Sequence, residues 1–293
     1  MTSVSGITEK YVDAGGIRTR YLECGAGPAL ILVHGGQFGS MGCAEDWLPA
    51  IGPLARDFRV IAMDKIGSGY SDNPRVDDDY VIGTTVAHLR DFMAALNIPK
   101  AHLAGHSRGG YTIVNAAMDY PGLAASLIVV SSATLMAAPN AIYKEWNKQA
   151  AKISGAREQW RHRLTANSWS GAHLDDDFLD TNVAIESLPK YQLAKSKMND
   201  GLWAKFRDDL NVKRELLRSR IAADGIPSPL LLTWGYDDPS ARLDPTGLEA
   251  MRILVPASIR GEFHVFKNAG HYVYREQPER FSSVVGDFIH HLS

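Results

Sequence analysis

The sequence predicts an α/β protein: a mostly parallel sheet of eight strands, flanked by helices and interrupted by an inserted helical lid. Three observations carry that expectation. Short apolar, β-branched runs alternate with helical stretches through residues 1–133 and again through 227–293. A Gly-x-Ser-x-Gly pentapeptide, Gly105-His106-Ser107-Arg108-Gly109, stands between one such run and a helix-like stretch. Between Thr134 and Ile226 the strand rhythm stops, and charged helical segments such as Tyr143-Lys144-Glu145-Trp146 and Lys205 to Leu210 take over.

In chain order, Lys10 to Asp13 and Ile17 to Glu23 read as an antiparallel hairpin around Ala14-Gly15-Gly16. Ala29 to His34 and Phe58 to Asp64 follow as parallel strands, then a helix over Gly83 to Leu96. Ala101 to Gly105 leads into the pentapeptide, and Gly109 to Tyr120 is the helix behind it. Ser126 to Ser131, Pro229 to Trp234 and Gly261 to Phe266 complete the strands, and Thr246 to Leu254 and Pro278 to His291 complete the helices of the core. The core is therefore expected at 1–133 and 227–293, with the lid at 134–226. Four of the six tryptophans, Trp146, Trp160, Trp169 and Trp203, fall in the lid. They suit an apolar pocket over an active site, or the packing of the lid onto the sheet.

Composition narrows the function. A chain of 293 residues with 45% hydrophobic residues can bury one large core. Its 31 basic and 33 acidic residues leave a net charge of −2 with no long run of like charge, which argues against nucleic acid as a partner. Cys24 and Cys43, the only cysteines, are too few for a disulfide framework and fit a reducing compartment. Met1 to Gly6 has no basic region leading into an apolar stretch, and no run of 18 apolar residues exists, so a cytoplasmic protein that does not enter membranes is expected. No His, Cys and carboxylate cluster has metal-ligand spacing, and the glycines near Ser107 lack the lysine of a phosphate loop, so neither metal nor cofactor is expected. A small molecule is the expected partner, and a homo-oligomer is compatible with the sequence.

A serine on a sharp strand-to-helix turn is pushed into the open, and the pentapeptide has that context. Its hydroxyl needs a base, and the base needs an acid to hold it. His271, following Phe263-His264-Val265-Phe266, is the expected base among ten histidines. Asp238, after the turn Gly235-Tyr236, is the preferred acid, with its neighbour Asp237 as competitor. A tetrahedral oxyanion needs backbone N–H donors. One is expected at Arg108 and the other at Gly36 in His34-Gly35-Gly36, with Gln37 in reserve. His34 itself is expected to hold its loop by hydrogen bonds. Gln37, His106 and Tyr272 are candidates for touching the substrate.

With His34-Gly35-Gly36, Asp64-Lys65-Ile66-Gly67-Ser68-Gly69-Tyr70-Ser71, the pentapeptide, Gly235 to Asp238 and Gly270-His271 in this order, the chain resembles the serine-nucleophile branch of the α/β-hydrolase superfamily over nearly its whole length. Within it, Gly270 to Phe281 and the His-Gly-Gly start are most similar to the meta-cleavage product hydrolases. Those enzymes split a carbon–carbon bond of 2-hydroxy-6-oxohexa-2,4-dienoates without a cofactor. The resemblance implies ketonisation of the dienol and attack on the C6 carbonyl by Ser107, or by water, activated by His271. It also implies a lid arginine for the dienoate carboxylate, for which Arg157, Arg161, Arg163 and Arg218 are available. Two positions depart from the family: His106 stands where Asn is common, and Tyr272 where Trp is common. The alternatives are a carboxylesterase with the same triad and a slow-turnover ligand receptor. A serine at 107 disfavours the aspartate-nucleophile dehalogenases and epoxide hydrolases.

Overall fold

The computed structural model describes residues 6–136 and 141–292. Met1 to Ser5, part of the amino-terminal stretch read above, lie outside the described residues, as do Ala137 to Asn140 near the start of the expected lid and Ser293. Eight strands form one sheet: β1 Thr8–Ala14, β2 Ile17–Cys24, β3 Ala29–Val33, β4 Arg59–Met63, β5 Ala101–His106, β6 Ala124–Val130, β7 Leu230–Gly235 and β8 Gly261–Phe266. Their order across the sheet is β1-β2-β4-β3-β5-β6-β7-β8. β2 runs antiparallel to both β1 and β4, and every other neighbouring pair is parallel.

Successive side chains on the central strands enter opposite cores. Ile31, Val33, Leu103, Leu127, Val129, Leu230 and Leu232 face one. Leu30, Leu32, Ala104, Ile128, Val130 and Leu231 face the other. Both faces being covered, these strands read as continuous apolar runs. Each fully buried Leu, Ile or Val contributes roughly 1.5–3 kcal/mol.

The helices are α1 Leu48–Leu54, α2 Ile82–Ala95, α3 Arg108–Asp119, α4 Ile142–Ala150, α5 Ala156–Ala166, α6 Asp176–Glu186, α7 Pro189–Lys197, α8 Trp203–Asp224, α9 Leu248–Ala257, α10 Val273–Glu276 and α11 Pro278–His290. α2, α3, α8 and α9 line the first core, and α1 and α11 the second. The repeat Phe281, Val285, Phe288, Ile289 puts one stripe of α11 against the sheet. α4 to α8 all lie between β6 and β7, where the strand rhythm stops.

Two core helices were not expected. Pro49, Gly52 and Pro53 disguise α1, yet Pro49 occupies the first turn, where its missing N–H removes no intrahelical bond. α10 is a single turn, too short for a periodic pattern. α9 begins at Leu248, later than the expected Thr246, because Leu243–Gly247 forms a wide turn with a non-helical Asp244. No helix among the described residues is long and apolar enough to cross a membrane. No group of three or more His, Cys, Asp or Glu among them is disposed to hold a metal ion.

Candidate active site

The segments following β3, β5, β7 and β8 carry His34 to Gly36, Ser107, Asp238 and His271, all at the carboxyl edge of the sheet. Ser107 has φ +53° and ψ −119°, a conformation that costs a non-glycine residue on the order of 1–3 kcal/mol. It is held there from three sides. Its N–H donates to Val130 O at 2.8 Å, and its carbonyl accepts from Gly110 N–H at 2.9 Å and from the Ser132 hydroxyl at 2.5 Å. The flanking glycines are sterically required: a Cβ on Gly105 would run into the Gly109 carbonyl, and one on Gly109 into that of Val33.

His271 Nδ1 lies 2.7 Å from Asp238 Oδ2, and both side chains are buried. The other Asp238 oxygen accepts from Ser240 N–H at 2.9 Å, the Ser240 hydroxyl at 3.1 Å and Ala241 N–H at 2.7 Å. Four contacts thus fix the carboxylate, which leaves Nε2 as the free end of the imidazole. The competitor Asp237 is turned elsewhere: it accepts Asn268 N–H at 2.9 Å and ties the two loops together. The His106 ring, one residue from Ser107, packs edge-on against the His271 ring with centroids 4.4 Å apart, which sets the imidazole beside the turn that carries Ser107.

His106 is buried and meets the Tyr274 hydroxyl at Nδ1 (3.2 Å), while its Nε2 has no hydrogen-bond partner. Burial, with the nearby His271, holds its pKa well below the ordinary histidine value. Tyr272 packs tilted against His106 and edge-on against His271, and directs its hydroxyl at Met41 Sδ, 3.6 Å away. His34 accepts Lys65 N–H at 3.1 Å, the loop-holding contact expected of it.

Of the two residues expected to supply oxyanion donors, Arg108 opens α3 with an N–H that has no intrahelical acceptor. Gly36 has φ +72° and a Cβ there would strike Met41 O, so only glycine serves. Lys65 Nζ grips its carbonyl at 2.9 Å. Gln37 N–H, by contrast, is committed to Ser40 Oγ at 2.8 Å, and the Gln37 side chain accepts from Arg108 Nη1.

The sequence profile described as the alpha/beta hydrolase fold matches residues 28–278. The chain belongs to the α/β-hydrolase fold family. This α/β hydrolase is 28% identical over 291 residues, 98% of its own chain and 92% of the relative, to a 2-hydroxy-6-oxo-6-(2'-aminophenyl)hexa-2,4-dienoic acid hydrolase of Metapseudomonas resinovorans. It is 27% identical to a 2-hydroxy-6-oxo-6-phenylhexa-2,4-dienoate hydrolase of Burkholderia cepacia, covering 99% of each chain. Among solved structures it matches a meta-cleavage product hydrolase of Pseudomonas fluorescens with TM-score 0.78 and 25% identity, over 97% of this chain and 98% of that one. A serine hydrolase involved in carbazole degradation matches with TM-score 0.76 and 26% identity, over 97% and 99%.

Several contacts in the α/β hydrolase were not foreseen. The helical insertion clamps the histidine loop: His271 N–H donates to Asn167 O at 3.0 Å, and the Glu276 carboxylate gathers the N–H groups of Gly270 (2.8 Å), Trp169 (2.9 Å) and Ser170 (3.4 Å). Tyr143 on α4 donates to Ser240 Oγ at 2.9 Å, touching the residue that caps Asp238. Except for Gly270 and Glu276, six apart, these partners are roughly a hundred residues apart, and no local pattern announces them. Of the four lid tryptophans, Trp203 stacks on Phe206 beside Arg108. Trp160 is buried, donating to Glu186 at 2.7 Å, and Trp169 is 52% exposed.

Proposed function

We propose that this protein hydrolyses the C5–C6 bond of a 2-hydroxy-6-oxo-dienoate, with Ser107, His271 and Asp238 as a single proton-transferring unit. The observation that carries the reading is the 2.7 Å contact of His271 with a four-fold anchored Asp238, near a serine strained into a left-handed conformation at a strand-to-helix turn. The Metapseudomonas and Burkholderia relatives, matched along almost the whole chain, lend the substrate class.

The dienol first becomes its keto form, which makes the C5–C6 bond cleavable. His271 Nε2 then takes the proton of the Ser107 hydroxyl, or of a water in its place, as the oxygen adds to the C6 carbonyl. Asp238 keeps the imidazole in the Nδ1–H tautomer and stabilises the imidazolium that forms. Arg108 and Gly36 N–H groups receive the oxyanion, a contribution typically of several kcal/mol to such steps. On collapse, the bond electrons pass to C5 as a dienolate, which His271 protonates. If Ser107 attacked, water releases the acyl group by the same route. No metal or organic cofactor enters this scheme, the partner is a small molecule, and the buried free thiols Cys24 and Cys43 suit the cytoplasm.

Purified protein assayed against a coloured ring-fission dienoate and a panel of aryl and alkyl esters tests the reading. Fast, repeated loss of the dienoate colour, abolished in Ser107→Ala, is the expected result. Ester turnover with an inert dienoate makes the protein a carboxylesterase. A single stoichiometric burst on every compound makes it a receptor.

A further inference from the structure

The four insertion arginines that the sequence offers for an anion are all engaged elsewhere. Arg157 pairs with Asp176 at 2.6 Å and Asp180 at 3.3 Å, and Arg161 with Glu158 at 3.4 Å and Asp176 at 3.5 Å. Arg163 reaches Gln159 and lies over Trp160, and Arg218 binds Met136 O and Glu249, both at 3.2 Å.

Arg108 is set apart from all four by its place directly after Ser107. Its Nη1 donates to the neutral Gln37 Oε1, its guanidinium lies against the rings of Trp203 (5.9 Å) and Phe206 (5.8 Å), and no carboxylate among the described residues pairs with it. Its Nε is buried without a partner. With Nη1 taken, the Nε and Nη2 edge remains, and those two N–H groups are the parallel pair that matches the two oxygens of a carboxylate. A second buried cation, Lys65, stands close by and spends its contact on Gly36 O. Burial lowers Arg108 to about 10, and burial together with the Arg108 charge lowers Lys65 to about 7. A guanidinium with a buried Nε and no carboxylate bound to it, directly after the proposed nucleophile, is costly as structure alone, and an arriving anion relieves that cost.

We propose that the Arg108 guanidinium seats a carboxylate of the substrate, so that the anionic end is read by the residue that follows the nucleophile and not by the helical insertion. Trp203 and Phe206 of the insertion cover this seat. The proposal rests on the reading of Ser107 as nucleophile, which puts Arg108 next to the reacting carbonyl. It makes Arg108 bifunctional: its backbone N–H faces the oxyanion and its side chain faces the acid.

Benzoate and benzamide share a shape and differ in charge, and their binding to the whole protein by calorimetry needs no turnover. Wild type is expected to prefer benzoate by about tenfold or more, the gain typical of a charge-assisted pair. Arg108→Gln is expected to bring the two within about twofold, Arg108→Lys to keep part of the preference, and Gln37→Ala, which leaves the guanidinium in place, to keep most of it. Equal binding by wild type overturns the proposal, as does a preference that survives Arg108→Gln. A preference lost equally in Gln37→Ala overturns it too, since Arg108 would then act only by bracing the loop. If Arg108→Gln does not fold, Arg108→Met, which keeps the stem against Trp203 and Phe206 and removes the charge, takes its place. Serine-dependent turnover reads the underlying function separately: turnover without charge preference sinks this proposal alone, and charge preference without turnover sinks the proposed function alone.

Discussion

Asp237 and Asp238 are adjacent and chemically identical, and what separates them is the backbone that follows. Asp238 closes an Asx turn on Ser240 N–H, whereas position 239 is a proline, with no N–H for Asp237 to use. That difference was legible in the sequence. Spacing from Gly235 favoured Asp238, but the missing donor at Pro239 is the stronger argument. Asp238→Asn should preserve the shape and lose the tautomer control, lowering kcat on the protein's best substrate by about 10³–10⁴-fold. Asp237→Asn, which removes a loop brace, should stay within about tenfold of wild type. Equal losses in steady-state assays of the two variants would contradict this assignment. Other residues were legible only as chemistry without address. His106 stood out as a departure from its family, but nothing in the sequence reveals that its ring packs on His271.

Elements with strong periodicity were read well, and those held by distant contacts were not. The strands announce themselves because both faces of the sheet are covered, while α1 hides behind its prolines. The insertion was recognisable as helical from its charges, but not its grip on the histidine loop. Glu276 is central to that grip, accepting three backbone N–H groups from two segments that meet only in the folded chain. Glu276→Ala leaves those donors without their carboxylate, and should lower stability by roughly 1–3 kcal/mol in urea unfolding and reduce kcat more than it raises KM. Unchanged stability and kinetics would show that the insertion and the histidine loop are positioned independently.

Across the whole molecule, buried histidines link the fold to pH. Burial holds His34 and His106 well below the ordinary value, and lowers His88 to about 4 and His173 to about 3. These groups stay neutral in the folded state and take up protons near pH 6.5 when unfolded, so their stabilising contribution is present above that value and is lost as pH falls through it. Burial also lowers Lys65 to about 7, which acts in the same direction. Asp46 and Asp64, raised by burial to about 7 and about 6, act the other way, since their contribution is present in acid and lost as pH rises. Five groups against two leave a net loss in acid. Urea unfolding should show stability falling by roughly 4 kcal/mol from pH 8 to pH 5.5, and a flat or rising profile would contradict the burial of these imidazoles. At the same scale, strand content was legible but strand order was not, because order depends on pairings between distant segments. That order brings positions 107, 238 and 271 to one edge of the sheet. The most direct test of their acting together is a double-mutant cycle on kcat/KM with Ser107→Ala, His271→Ala and the pair. Each single change should cost about 10³-fold or more, and the double little more than the worse single. Losses that multiply would mean that the serine and the histidine work separately, contradicting a shared proton-transferring unit.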